Sequence, residues 1–258
     1  DFRRSRGLGD VYKRQLHKSA PGLAQTAVLW QRNGRIDPER VQAALQRLQT
    51  TSPSALMLAS CEATLDWMLS PRWPVLLEAR QCDATTLATV LARAGVPLHS
   101  GDDPLRLILA TGQAGISGLE ADDWCMQQGL IAELPEPLCL TFCLGFAQHR
   151  GLARQFRHLW QRLLDEAGGE PLAPIPAPPC DRVSVPVLPP DEALRRPATR
   201  LPVARCIGRI AAELICPYPP GVPLLVPGER MDAQRCAWLE QQHRRWPDQV
   251  PGMVKVLA

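Results

Sequence analysis

Two short stretches carry the side chains best suited to chemistry. In Leu16-His17-Lys18-Ser19-Ala20-Pro21-Gly22 a lysine follows a histidine and leads into a small, turn-forming run. A lysine amine that is partly desolvated, or set beside other cations, has a lowered pKa and becomes a nucleophile toward carbonyl carbon. Taken alone, Lys18 reads as an ordinary surface lysine. The second stretch is Thr50-Thr51-Ser52-Pro53-Ser54, hydroxyls and a proline ahead of an apolar run. Ser52 is placed to cap a helix with Pro53 at its first position. A helix N-terminus behind several hydroxyls is also a ready anion site, although plain capping needs only Ser52. Gly112, Gly115 and Gly118 lack the spacing of a phosphate loop and read as a tight turn. Asp102 and Asp103, before Pro104, read as turn or cap residues rather than paired catalytic carboxylates.

The elements around these residues follow from spacing. Thr26 to Gln31 is a short apolar strand closed by the turn Asn33-Gly34. Asp37-Pro38-Glu39 opens a helix whose Val41, Ala44, Leu45 and Leu48 fall on one face, expected to pack inward. A second helix carries Ala55, Leu58, Ala59, Ala63, Leu65 and Met68 as far as Ser70-Pro71. Then come a helix from Asp83 to Ala94, a strand from Leu105 to Ala110, and a helix from Leu119 to Gln128. A strand from Leu138 to Leu144 and a helix from His149 to Glu166 complete an α/β layer. Glu170 to Pro190 is a proline-rich connector. Beyond it the pattern predicts a helix from Pro202 to Ile215, with Val203, Ile207, Ile210 and Leu214 on one face. Pro217-Tyr218-Pro219-Pro220-Gly221 must be a rigid loop. Asp232 caps a last helix to Trp246, and Met253 to Leu257 is a final strand.

Composition narrows the function classes. Asp10-Val11-Tyr12-Lys13-Arg14-Gln15 is what GAT GTG TAT AAG AGA CAG encodes, the sequence of a transposon adapter used in preparing DNA libraries. Residues 1–15 are therefore expected to be an adapter artefact, with the true gene continuing upstream of Leu16. They hold five of the 29 basic residues and two of the 26 acidic ones, so the remainder is balanced at 24 of each. No basic footprint for nucleic acid or an anionic membrane remains. The longest apolar run, Pro137 to Ala147, is too short to span a membrane and reads as a buried strand. Nine cysteines without a Cys-x-x-Cys pair argue against a disulfide framework or a metal site, and for reduced thiols in the cytoplasm. Cys139 and Cys143 are expected to be buried on one strand face.

The string Gly208-Arg209-Ile210-Ala211-Ala212-Glu213, followed by Cys216-Pro217-Tyr218-Pro219-Pro220-Gly221-Val222-Pro223-Leu224-Leu225-Val226-Pro227-Gly228-Glu229, resembles the C-terminal domain of the ornithine/lysine/arginine decarboxylases. The His17-Lys18 run is similar to that family's Schiff-base lysine segment. Asp103-Pro104-Leu105-Arg106-Leu107, Gly115-Ile116-Ser117-Gly118 and Ile131-Ala132-Glu133-Leu134 fit in the expected order. Pro189-Pro190-Asp191-Glu192-Ala193 departs from the family's usual Ser-Pro-Arg-Glu-Ala.

The resemblance implies an α/β chain: residues 16–70 ending a fold-type-I pyridoxal-phosphate-binding large domain, and 71–169 an α/β small domain. Residues 170–190 would be the linker, and 191–258 a proline-rich α+β C-terminal domain. It implies pyridoxal 5'-phosphate as cofactor, Lys18 as the catalytic Schiff-base lysine and His17 as a cofactor contact. Thr50, Thr51 and Ser52 would reach the phosphate of a neighbouring subunit, making a homodimer with shared sites. Glu213 and Glu229 would be the carboxylates that meet the cationic end of a basic amino acid. The expected reaction is decarboxylation of arginine, lysine or ornithine to an amine and carbon dioxide, with the fragment alone inactive. The alternatives are a catalytically silent homologue, a dimerisation or lid module, and another activity on the same scaffold such as an aminotransferase.

Overall fold

The computed structural model describes residues 11–31, 36–147, 151–179, 185–218 and 221–258, and leaves out the side chains of residues 11, 12 and 19. The Asn33-Gly34 turn, His149 and Pro219-Pro220 lie outside the described residues. Two compact units are present: residues 1–85 with 145–150, and residues 86–144 with 151–258.

In the first unit, strand β1 (Val11–Gln15) pairs antiparallel with β2 (Ala27–Gln31), Gln15 opposite Ala27 and Val11 opposite Gln31. Between them lies a four-residue helical turn, α1 (Leu16–Ser19). Helix α2 (Pro38–Leu48) starts as expected, with the Asp37 side chain accepting from Glu39 N–H and Pro38 in the first turn. Its apolar face does not pack inward. No α2 residue is buried, and Leu48 is 86% exposed. Leu29, Ile36, Val41, Ala44, Leu45 and Leu48 instead line an open groove of about 470 Å³. A 3.6-residue spacing sorts a helix into faces, but whether a face is covered depends on a partner element.

Helix α3 (Ala55–Leu69) starts two residues later than Ser52 capping predicts. The Ser52 N–H goes to Thr50 Oγ1 at 3.2 Å, a local turn ahead of the helix. Ser54 becomes the N-cap and makes no side-chain capping bond. Helix α4 (Arg72–Arg93) begins well before the expected Asp83. Its Pro74 sits in the first turn, where no intrahelical N–H is required. The unit boundary falls within α4, between Thr85 and Thr86.

The second unit holds a sheet of β3 (Leu98–His99), β4 (Arg106–Leu109), β5 (Leu134–Glu136) and β6 (Cys139–Cys143), in the order β3-β4-β6-β5. The chain is mixed α and β as expected, but every pairing in this sheet is antiparallel, so the layer is not a parallel α/β one. Helix α5 (Gly118–Gln127) lies between β4 and β5 in sequence, and α6 (Leu152–Ala167) follows β6. Phe156, Trp160 and Leu163 of α6 recur at helical spacing and pack with Leu107, Leu140 and Phe142 of the sheet in one core. The three glycines mark a turn, as expected. A 3₁₀ turn at Thr111–Ala114 ends in Gly115 at φ 77°, and Ser117 and Glu120 form a capping box for α5. A Cβ on Gly118 would lie 2.0 Å from Cys139 O, so only glycine lets α5 approach β6. Cys139 is half-buried and Cys143 exposed, against the expectation of two buried thiols. Cys143 ends its strand, beyond the covered stretch Leu140 to Phe142.

The proline-rich connector is fastened rather than loose. Leu172 N–H donates to Gly112 O at 2.8 Å, Pro176 O accepts from Trp238 Nε1 at 2.9 Å, and Val187 N–H donates to Gly228 O at 2.8 Å. Helix α7 (Pro190–Arg195) then leads to β7 (Ala198–Pro202), which pairs along its length with β8 (Met253–Leu257). Asp232 caps α8 (Ala233–Arg245), accepting from Arg235 N–H. The helix expected from Pro202 to Ile215 is absent. A 3₁₀ turn at Val203–Arg205 gives way to isolated bridges from Ile210 to Arg230, Ala211 to Val256 and Ile215 to Leu225. Gly208 sits at φ 81°, which stops helix propagation. The apolar spacing was coincidental: Val203 and Ile215 are buried, whereas Ile207 and Leu214 are exposed.

Candidate functional site

The Lys18 turn is closed by Thr26. Leu16 N–H donates to Thr26 O at 3.0 Å, and Ala20 N–H donates to Leu16 O at 2.8 Å. His17 Nδ1 lies 3.1 Å from the same carbonyl. A carbonyl only accepts, so Nδ1 carries the proton in this contact. Thr26 is fixed in turn, its Oγ1 donating to Leu23 O at 2.6 Å and its N–H to the same oxygen at 3.2 Å. Leu16 and Thr26 are both 2% exposed, while Lys18 is exposed. Gly22 is obligatory here, since a Cβ would lie 2.6 Å from Thr26 Oγ1 and 2.9 Å from Leu16 Cβ. The loop therefore buries its closure and leaves the Lys18 side chain on the outside.

Thr50, Thr51 and Ser52 are exposed and sit on the turn leading into α3. The N-cap residue Ser54 makes no side-chain capping bond to the first turn of α3. Within this chain the lysine turn and the hydroxyls ahead of α3 are two separate features. From Leu16 onward the chain has 22 arginines and only two lysines, Lys18 and Lys255. A guanidinium cannot give up its proton in a protein, so in this arginine-rich chain an amine nucleophile requires one of those two positions.

The two expected substrate carboxylates lie in the second unit and are engaged there. Glu213 Oε1 accepts from Lys255 N–H at 2.6 Å, and its Oε2 is 3.7 Å from Arg200. Glu229, 9% exposed, accepts from Val226 N–H at 2.8 Å and pairs with Arg235 at 3.3 Å. Arg235, itself 8% exposed, also donates to Asp232 Oδ2 at 2.6 Å and to Leu224 O at 3.3 Å. Burial opposes ionisation of Asp232, but hydrogen bonds from the Arg235 backbone and guanidinium, with its charge, outweigh that and lower its pKa. This network spans residues 224–235, just after the proline loop, and Arg235 carried no sequence signal beyond its place three residues after a capping aspartate. Among the described residues no group of histidine, cysteine or carboxylate side chains is arranged to hold a metal ion, and no helix is long and apolar enough to cross a membrane.

Comparison with known proteins identifies the relatives of the chain. Residues 182–257 match the family described as Orn/Lys/Arg decarboxylase, C-terminal domain, and the chain is related to the decarboxylases that carry it. It is 27% identical over 255 residues to an arginine decarboxylase of Halalkalibacterium halodurans, covering 91% of this chain and 50% of that protein. A Bacillus subtilis arginine decarboxylase is 23% identical over 246 residues, covering 89% of this chain and 49% of that protein. A 40-residue segment is 52% identical to lysine decarboxylase LdcA of Pseudomonas aeruginosa, covering 16% of this chain and 5% of that protein. In fold, the chain matches the constitutive lysine decarboxylase of E. coli with a TM-score of 0.73 at 17% identity, covering 96% of this chain and 49% of that one. The chain spans about half the length of the curated relatives it matches.

Proposed function

We propose that this chain is the lysine-bearing half of a decarboxylase acting on arginine, lysine or ornithine. The observation that carries the reading is the presence, in one chain, of the decarboxylase C-terminal domain at 182–257 and a rigidly closed turn presenting Lys18. Four curated relatives matched in sequence over 85–91% of the chain are arginine decarboxylases, which favours arginine. Three solved structures matched in fold over 90–96% of it are lysine decarboxylases.

Lys18 Nζ is the proposed attachment point for pyridoxal 5'-phosphate. Bound there, the cofactor supplies an aldehyde for amine exchange and an aromatic electron sink as carbon dioxide departs. Lys18 would hold that group through Nζ and would take or give the proton there. His17 would be a cofactor contact beside it. Thr50, Thr51 and Ser52, with the uncapped α3 N-terminus, take a phosphate, which we assign to a neighbouring subunit's site in a homodimer. Glu213 and Glu229 are the weaker assignments, because both already have partners in their own unit. The cysteines of the described residues are unbridged, and we assign the protein to a reducing compartment such as the cytoplasm.

The test is release of carbon dioxide by the full-length protein, cofactor-loaded and given each basic amino acid in turn. The reading requires gas release with at least one of them, and loss of that release in Lys18→Ala by about 1,000-fold or more, since a covalent catalytic group is removed. Amino-group transfer without gas would replace it with an aminotransferase. The 258-residue chain alone is expected to release none.

A further inference from the structure

We propose that Thr26 and Ser60 are positioning residues for Lys18, acting through a relay of hydrogen bonds that fastens the lysine turn to helix α3. The inference rests on the reading of Lys18 as the cofactor-bearing lysine. The outer end of the relay is Ser60, in the first half of α3, whose Oγ accepts from Leu23 N–H at 3.0 Å. Leu23 O accepts both donors of Thr26, and Thr26 O accepts both Leu16 N–H and the His17 ring. Each link therefore sets the position of the next. The Ser60 side chain of α3 places Leu23, Leu23 places Thr26, and Thr26 places the Leu16 backbone ahead of the His17-Lys18 pair and the His17 ring within it.

Two features mark this loop as constrained rather than merely folded. Gln25 has φ 72°, a left-handed conformation that a non-glycine residue holds only when its surroundings over-determine it. Gly22 admits no Cβ, so the loop has no slack between Leu16 and Thr26. The closing threonine is buried, whereas a loop serving only to connect α1 with β2 has no need of a buried hydroxyl. An exposed lysine gains a reproducible position only if its backbone is held, and an offset of about 1 Å in a reacting group can cost about 100-fold in rate. The relay supplies that hold without touching the cofactor.

The experiment compares Thr26→Val, Thr26→Ser, Ser60→Ala and Ser60→Thr in the full-length holoenzyme. Three quantities are read for each: cofactor release during dialysis, kcat against KM for the substrate, and the melting temperature. Thr26→Val is expected to speed cofactor release by about 10-fold or more and to lower kcat by about 10- to 100-fold, with KM within about twofold. Ser60→Ala is expected to do the same more weakly, by about three- to tenfold. The hydroxyl-retaining variants Thr26→Ser and Ser60→Thr should restore both quantities to within about twofold at an unchanged melting temperature. Equal behaviour of Ser60→Ala and Ser60→Thr, or a loss in kcat that only follows a fall in melting temperature, would overturn the proposal. A parallel borohydride reduction of the unaltered holoenzyme separates the two levels. If Lys18 carries the cofactor and Ser60→Ala is indistinguishable from it, the relay alone fails. If Lys18 carries none, the functional reading fails and the relay with it.

Discussion

The residues from Ala198 to Leu257 and those from Leu16 to Leu69 solve opposite problems with similar composition. The former close a core of their own: Leu225, Met231, Leu239, Val254 and Val256 are fully buried, and even the charged Arg235 is internal. The latter bury little. Helix α2 has no buried residue, Leu56, Leu58 and Leu69 of α3 are exposed, and the tightest packing surrounds the Lys18 turn. A region with a closed core owes its stability to its own contacts. A region with an open apolar face holds only local geometry until something covers that face. The lysine turn keeps its shape because hydrogen bonds and a missing Cβ hold it, not because a core surrounds it.

The largest effect that can break or sharpen this contrast is removal of the buried cation. Arg235→Ala removes the buried cation paired with Glu229 and should cost about 3–5 kcal/mol of stability in urea unfolding. Leu48→Ala, at the most exposed point of the α2 face, should change stability by less than about 0.5 kcal/mol. Equal losses in the two variants would erase the distinction. A smaller effect comes from pH. Burial, with the nearby charge of Asp122, pushes the Cys125 thiol from 9.0 up to about 11. Burial, with Cys206 and nearby carboxylates, does the same to Cys236, from 9.0 to about 11. Both folded values lie above the unfolded one, so above about pH 9 the unfolded chain loses protons that the folded chain keeps. Stability of the second unit should therefore fall between about pH 9 and 11, and the fall should shrink in Cys236→Ala. Unfolding followed at a series of alkaline pH values checks this, and a flat profile would count against it.

Much of the local structure was legible because its causes are local. Asp37-Pro38-Glu39 and Asp232 each start a helix through bonds made within three residues. What the spacing of apolar residues could not convey is which faces find partners. The α2 face read as inward because its period was right, and Pro202 to Ile215 read as helix because four apolar residues fell at helical intervals. In the second case Gly208 was the warning, a residue whose left-handed backbone ends helix and permits the irregular pairing with Arg230 and Val256. The relay behind Lys18 was invisible for another reason. Ser60 lies 37 residues from Leu23 in the chain, and a serine in the middle of an apolar helix announces no contact. The pairing of β1 with β2 is a main-chain ladder that any extended segment can form, so it says nothing about the origin of residues 11–15.

The most direct measurement is reduction of the full-length, cofactor-loaded protein with borohydride, followed by peptide mapping. The account predicts one modified lysine, Lys18, in the peptide that runs on through Pro21 and Gly22, with Lys255 unmodified. Label at any other lysine, Lys255 included, or nowhere would contradict it.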